Sequence, residues 1–128
     1  MKTAINVLLI SVLMMFAAPV WSDSVAHFLT CEQDDDASQA DLVALASKWL
    51  KLANSMKGGE NIKVHLQFPI IAQMNQADFA VVITAPSLAE WGTFMDGYAT
   101  SDLGGVDEEW DELAACPDSA MFKSVSVK

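Results

Sequence analysis

Asp78-Phe79-Ala80-Val81-Val82-Ile83-Thr84-Ala85 (DFAVVITA) is the stretch on which the fold turns. It is apolar on both alternating faces, so it reads as a strand at the centre of a sheet, covered on both sides. Pro86 stops it. Ser87-Leu88-Ala89-Glu90 then forms a capping box, serine at the N-cap and glutamate three residues on. Leu88, Trp91, Met95 and Tyr98 follow at helical spacing, although Gly92 and Gly97 each weaken a helix by about 1 kcal/mol relative to alanine. A buried strand leading straight into a capped helix is half of a two-layer unit, and the flanking segments supply the rest.

Upstream, Asn61–Phe68 (NIKVHLQF) alternates: Ile62, Val64, Leu66 and Phe68 face one way, and Lys63, His65 and Gln67 the other. This is a half-buried strand at a sheet edge, ended by Pro69 and followed by a turn at Gln73–Gln76. Before it, Leu42, Ala46, Trp49, Ala53 and Met56 recur at steps of four and three, one face of a helix. Ser38 and Asp41 open that helix and Gly58-Gly59 closes it. Ser24–Thr30 (SVAHFLT) reads as the first strand. Downstream, Thr100–Val106 reads as a loop and Asp107–Cys116 as a short helix with acids in its first turn. Pro117 closes that helix, and Ala120–Val127 is a final strand.

The resulting order, β-α-β-β-α-β, is the split βαβ or ferredoxin-like arrangement of the α+β class. Right-handed crossovers put the first and third strands at the centre, giving a four-stranded antiparallel sheet of order 4-1-3-2 with its helices on one face. The end of strand 1 then lies beside the start of strand 4, which brings Cys31 and Cys116 to one corner. A disulfide between them closes a long loop, worth roughly 4–5 kcal/mol in the chain-entropy account. The bare sheet face is expected to carry Val25, His27 and Leu29 with Ala80, Val82 and Thr84. So apolar a surface calls for a cover, most simply a second copy of the chain.

Residues 1–22 have the marks of a secretory signal peptide. Lys2 is the positive start, Ala4–Ala18 the apolar run, and Val20-Trp21-Ser22 the approach to a cut before Asp23. An uncleaved anchor is the competing reading, but the run sits at the short limit for a bilayer span. Residues 23–128 form a single domain of suitable length. They keep six lysines, no arginine and all seventeen acids, a net charge of −11. That charge disfavours nucleic acid and anionic membrane surfaces, and the missing arginine removes the usual bidentate clamp for phosphate or carboxylate. A periplasmic or secreted destination also suits a cysteine pair.

The segment Asp78–Gly92 (DFAVVITAPSLAEWG) resembles the third strand, turn and second helix of the dimeric α/β-barrel superfamily, which includes the antibiotic-biosynthesis monooxygenase-like and stress-responsive domains. The resemblance implies a ferredoxin-like homodimer joined through the open sheet face. It also implies a spread of roles: cofactor-free oxygenases, haem-degrading enzymes, isomerases, dye-type peroxidases and proteins without known activity. No catalytic set from any of these maps onto the chain, and export and the cysteine pair depart from the typical cytoplasmic members.

Three roles follow. The first is an exported, disulfide-locked domain that binds a small apolar ligand or a protein partner, with Trp91, Met95 and Tyr98 lining the pocket and the 100–106 loop as its lid. The second is an oxygenase-like enzyme, cofactor-free or haem-related, with His65 or His27 as the acid–base group. The third is a purely structural interaction protein. A sizeable closed pocket holding a histidine and an aromatic favours the second; a filled core with only the dimer face apolar favours the third. No metal or cofactor site is expected: the two histidines stand about two strand spacings, roughly 10 Å, apart, and the acidic runs 34–36 and 107–112 lack a calcium loop. No nucleophile elbow, Cys–His pair or glycine-rich phosphate loop is present.

Overall fold

The computed structural model describes residues 23–71, 77–125 and 127. The signal peptide expected at 1–22 and the turn expected at 73–76 fall outside the described residues. Four strands and three helices follow in the order β1 (Ser24–Gln33), α1 (Gln39–Asn54), β2 (Lys63–Gln67), β3 (Phe79–Ala85), α2 (Leu88–Tyr98), α3 (Leu103–Asp111) and β4 (Ala114–Ser124). The strands form one antiparallel sheet of order β2-β3-β1-β4, the expected 4-1-3-2 read from the other edge. β3 is central and flanked by β1 and β2, as its two apolar faces require.

Both N-caps form at the expected serines, but α1 is capped at its C-terminus by Ser55, ahead of Gly58-Gly59, and the Glu90 carboxylate accepts from the Ser87 hydroxyl rather than from its N–H. Ser38 accepts from the Asp41 backbone N–H while the Asp41 carboxylate accepts from the Ser38 N–H. Ser87 likewise accepts from the Glu90 N–H. α1 buries Leu42, Leu45, Trp49 and Ala53 against the sheet. After α1 the chain turns through Gly58 at φ +82°, where a Cβ would lie 2.6 Å from the Glu90 carbonyl oxygen. Only glycine suits both that conformation and that approach of the α1–β2 connection to α2.

Cys31 and Cys116 are joined by a disulfide, 85 residues apart in sequence. Cys31 pairs with Phe79 on β3, and both are buried in a cluster with Leu42, Val81 and Ala114. The corner predicted from topology is thus a covalent one.

Several expectations are corrected. The third helix spans Leu103–Asp111 rather than Asp107–Cys116. Its first turn buries Leu103 and Val106 in the core, and that burial outweighs the propensity cost of Gly104 and Gly105. The 100–106 segment is therefore no lid. β4 accordingly starts at Ala114 and runs through Cys116 and Pro117 to Ser124. Proline is tolerated there because β4 is an edge strand whose register shifts opposite Thr30–Glu32. In α2 the buried residues are Trp91 and Phe94, whereas Leu88 is exposed.

The last correction concerns strand parity. Val25, His27 and Leu29 pair with Ala85, Ile83 and Val81 on the helix-covered side, not the bare one. The bare side takes Ala26, Phe28 and Thr30 from β1 opposite Thr84, Val82 and Ala80 from β3. β4 adds Ala120 and Phe122 to it. Cys31 fixes this parity: it is buried among core residues, and steps of two lead back from it to Leu29, His27 and Val25.

Candidate functional site

A cavity of about 190 Å³ lies between the sheet and the helices. Its floor is apolar, made of Leu29 from β1, Val64 from β2, and Val81 and Ile83 from β3. Its walls come from all three helices: Ala46 and Trp49 from α1, Trp91, Met95 and Tyr98 from α2, and Asp107 and Trp110 from α3. His27, on β1, is the one titratable group that the sheet itself contributes to the lining.

The polar groups of the lining are arranged in two sets. Tyr98 donates its hydroxyl hydrogen to the Asp107 carboxylate, with oxygen distances of 2.8 and 3.0 Å. The same hydroxyl oxygen accepts from the Trp49 indole N–H at 3.3 Å. Burial, followed by the hydrogen bond and charge of Asp107, pushes the Tyr98 pKa up to about 12, against the Trp49 bond that lowers it. Tyr98 is therefore a neutral phenol whose proton and lone pair are engaged, and it is no base.

His27 forms the other set. Its ring meets Trp91 edge to face, with centroids 5.7 Å apart. Burial holds its pKa below the ordinary histidine value, which keeps the imidazole neutral at physiological pH. Among the described residues no protein group hydrogen-bonds its ring, so its acceptor nitrogen is available to a ligand. Trp110 completes the wall by directing its indole N–H at the Cys116 sulfur, 3.4 Å away, which ties the site to the disulfide corner.

Trp91, Met95 and Tyr98 all line this cavity, as do Trp49 and Trp110. His65 does not. It sits on β2 opposite Val82, on the bare face, and is exposed. The two histidines thus occupy opposite faces of the sheet and share no site. No group of three or more metal-ligating side chains exists among the described residues. Asp107 is the site residue that sequence reasoning missed, since it was read as a solvated first-turn acid. The signal was present: Leu103, Asp107 and Trp110 recur at steps of four and three, the face of a helix that starts earlier than its acids suggest.

Fold comparison places this arrangement among known structures. SnoaB from Streptomyces nogalater, a cofactor-independent oxygenase, superposes with a TM-score of 0.56 at 7% identity, covering 83% of this chain and 97% of that one. A dimeric ferredoxin-like protein of unknown function from Thermobifida fusca gives 0.54 at 12% identity, over 80% and 92% of the two chains. The chain has a ferredoxin-like fold. A dabb family protein from Mesorhizobium loti, also ferredoxin-like, is similar at a TM-score of 0.51 and 8% identity, over 84% of this chain and all of that one. No family model and no curated protein matches the sequence.

Proposed function

We propose that this chain is an exported, disulfide-locked homodimer that binds a small, largely apolar ligand in the cavity between its helices and sheet. The observation that carries this reading is the cavity itself: about 190 Å³ of space in a small domain, walled by indoles and aliphatic side chains. Native interiors rarely leave such volume empty, because unfilled space forfeits dispersion contacts. An engineered apolar cavity of about 150 Å³ takes up benzene, so a single ring with a small substituent fits here. A tetrapyrrole does not, and the haem-related reading has no support from this lining.

Export is supported by the leader-like residues 1–22, the acidic composition and the Cys31–Cys116 bridge. Dimerisation is supported by the apolar bare face. There Phe28 and Phe122 meet edge to face at 5.3 Å, with Phe122 54% exposed. The similar Thermobifida protein is described as a dimer.

A second reading, a cofactor-free oxygenase-like enzyme, is favoured by His27. A neutral imidazole without a hydrogen-bond partner among the described residues, in an apolar cavity, is placed to take a proton from a bound substrate. His65, exposed on the far side of the sheet, has no such setting.

Native mass spectrometry of protein recovered from an exporting host tests the reading. The expected species is a dimer of residues 23–128 with one disulfide per subunit and a retained small molecule, which the cavity-filling substitution Ala46→Phe removes. A monomer without retained ligand, indistinguishable from Ala46→Phe, refutes it. Oxygen consumption lost in His27→Gln, with ligand retention unchanged, would favour the enzyme.

A further inference from the structure

We propose that the ligand of this cavity is an organic cation, a hydrophobic amine or quaternary ammonium compound whose apolar body rests on the sheet and whose charge meets Asp107. The inference rests on reading the cavity as a ligand site and adds the ligand's chemical class.

The formal charges of the lining decide it. Asp107 contributes a carboxylate, and no lysine or arginine lines the cavity. Among the described residues Asp107 makes no ion pair; the nearby salt bridge on α3 joins Lys48 to Glu109 instead. Its hydrogen-bond partner is the Tyr98 hydroxyl, a neutral donor that orients the carboxylate without cancelling its charge. A carboxylate offers about four acceptor positions, so capacity remains for a ligand. His27 is kept uncharged by burial and supplies no compensating positive charge.

The aromatic lining points the same way. Trp49, Trp91 and Trp110 surround the space with Tyr98. Indole is the strongest of the side-chain π-systems toward cations, and aromatic cages are the recognised solution for quaternary ammonium groups. A neutral hydrocarbon would leave the negative charge of the half-buried carboxylate unopposed, with the neutral Tyr98 hydroxyl as its hydrogen-bond partner. An anion would oppose both the carboxylate and the net charge of −11 on residues 23–128. A cation satisfies the carboxylate and the indoles together.

The test compares two probes of nearly the same shape, phenyltrimethylammonium and tert-butylbenzene. Three of the four tryptophans line the cavity, so indole fluorescence reports occupancy directly. In the intact disulfide-bonded protein the cation should bind about tenfold or more tightly than the hydrocarbon. Asp107→Asn, which keeps the shape and a Tyr98 partner, should abolish most of that preference while tert-butylbenzene binding persists. Equal or tighter binding of tert-butylbenzene to the wild-type protein overturns the charge assignment and leaves the cavity as an apolar ligand site. An undiminished preference in a folded Asp107→Asn protein overturns the role of the carboxylate. Failure of both probes to bind overturns the proposal and counts against the ligand reading as well. The wild-type comparison needs no variant, so a folding defect in Asp107→Asn does not shield the proposal.

Discussion

The two faces of one sheet are built from alternate residues of the same strands, yet they do different things. On the covered face, His27 and Leu29 of β1 and Val81 and Ile83 of β3 floor a cavity roofed by three helices. On the other face, Phe28 and Thr30 of β1 form an open surface with Asp118, Ser119, Ala120 and Phe122 of β4, and Ala26 and Val82 beside them are buried. The difference teaches that the smallest step in strand register sorts side chains between the cavity and the opposite side of the sheet. A histidine at position 27 therefore belongs to the chamber, and one at position 65 to the outside.

The disulfide is common to both faces, because it fastens β4 to the rest of the sheet. Replacing both Cys31 and Cys116 by serine should lower stability by roughly 4 kcal/mol, given the length of loop that the bridge closes. Denaturant unfolding with and without reductant checks this; an unchanged midpoint would mean that β4 needs no staple.

Phe94→Ala and Phe122→Ala set the faces against each other. Phe94 is fully buried beneath α2 and touches Trp49, Trp91 and Tyr98. Its truncation should cost about 3–5 kcal/mol. Phe122 is half exposed, and its truncation should cost the isolated subunit less than about 1 kcal/mol. Comparable losses would erase the distinction.

Phe122→Asp sharpens the comparison further, since a charge placed on the bare face opposes its burial against a second copy. The expected result is a folded monomer by sedimentation, with cavity binding intact. A dimer that survives the substitution would move the interface elsewhere.

The smallest effects are electrostatic and confined to the chamber. Tyr98 is the sole tyrosine, so tyrosinate absorbance reads one residue, and it should titrate near 12. Its folded-state value lies above the unfolded one, so the folded state holds the proton longer. The associated stability is present below about pH 10 and is lost as pH rises toward 12. Asp107→Asn should move the titration down, because a carboxylate that raises it is gone. His27 works in the opposite sense. Its folded value lies below the unfolded 6.5, so the unfolded chain binds the proton first and stability falls as pH drops below about 6.5. His27→Phe should flatten that acid limb in a thermal-unfolding series.

Much of this was legible in the chain. The capping residues Ser38 and Ser87, the alternation at 61–68 and the doubly apolar Phe79–Ala85 each announce an element, and their order dictates the sheet. The cysteine pairing followed from strand order alone. What escaped is equally specific. The glycines at 104 and 105 and the acids from Asp107 onward look like a loop before a helix, because local propensity has no knowledge that Leu103 and Val106 will be buried. Strand 1 carries apolar residues on both alternating faces, Val25 and Leu29 on one and Ala26 and Phe28 on the other, so its pattern does not say which residues face the helices.

Sequence by itself determined the elements, their order and the corner where the sulfurs meet, because periodicity, capping and crossover handedness are local or topological constraints. Only the tertiary structure decided the side of β1 on which His27 falls, the meeting of Asp107 with Tyr98 and the space left between three helices and a sheet. Those depend on register and on packing between residues far apart in the chain, where the competing arrangements share one pattern and differ only in what they bury.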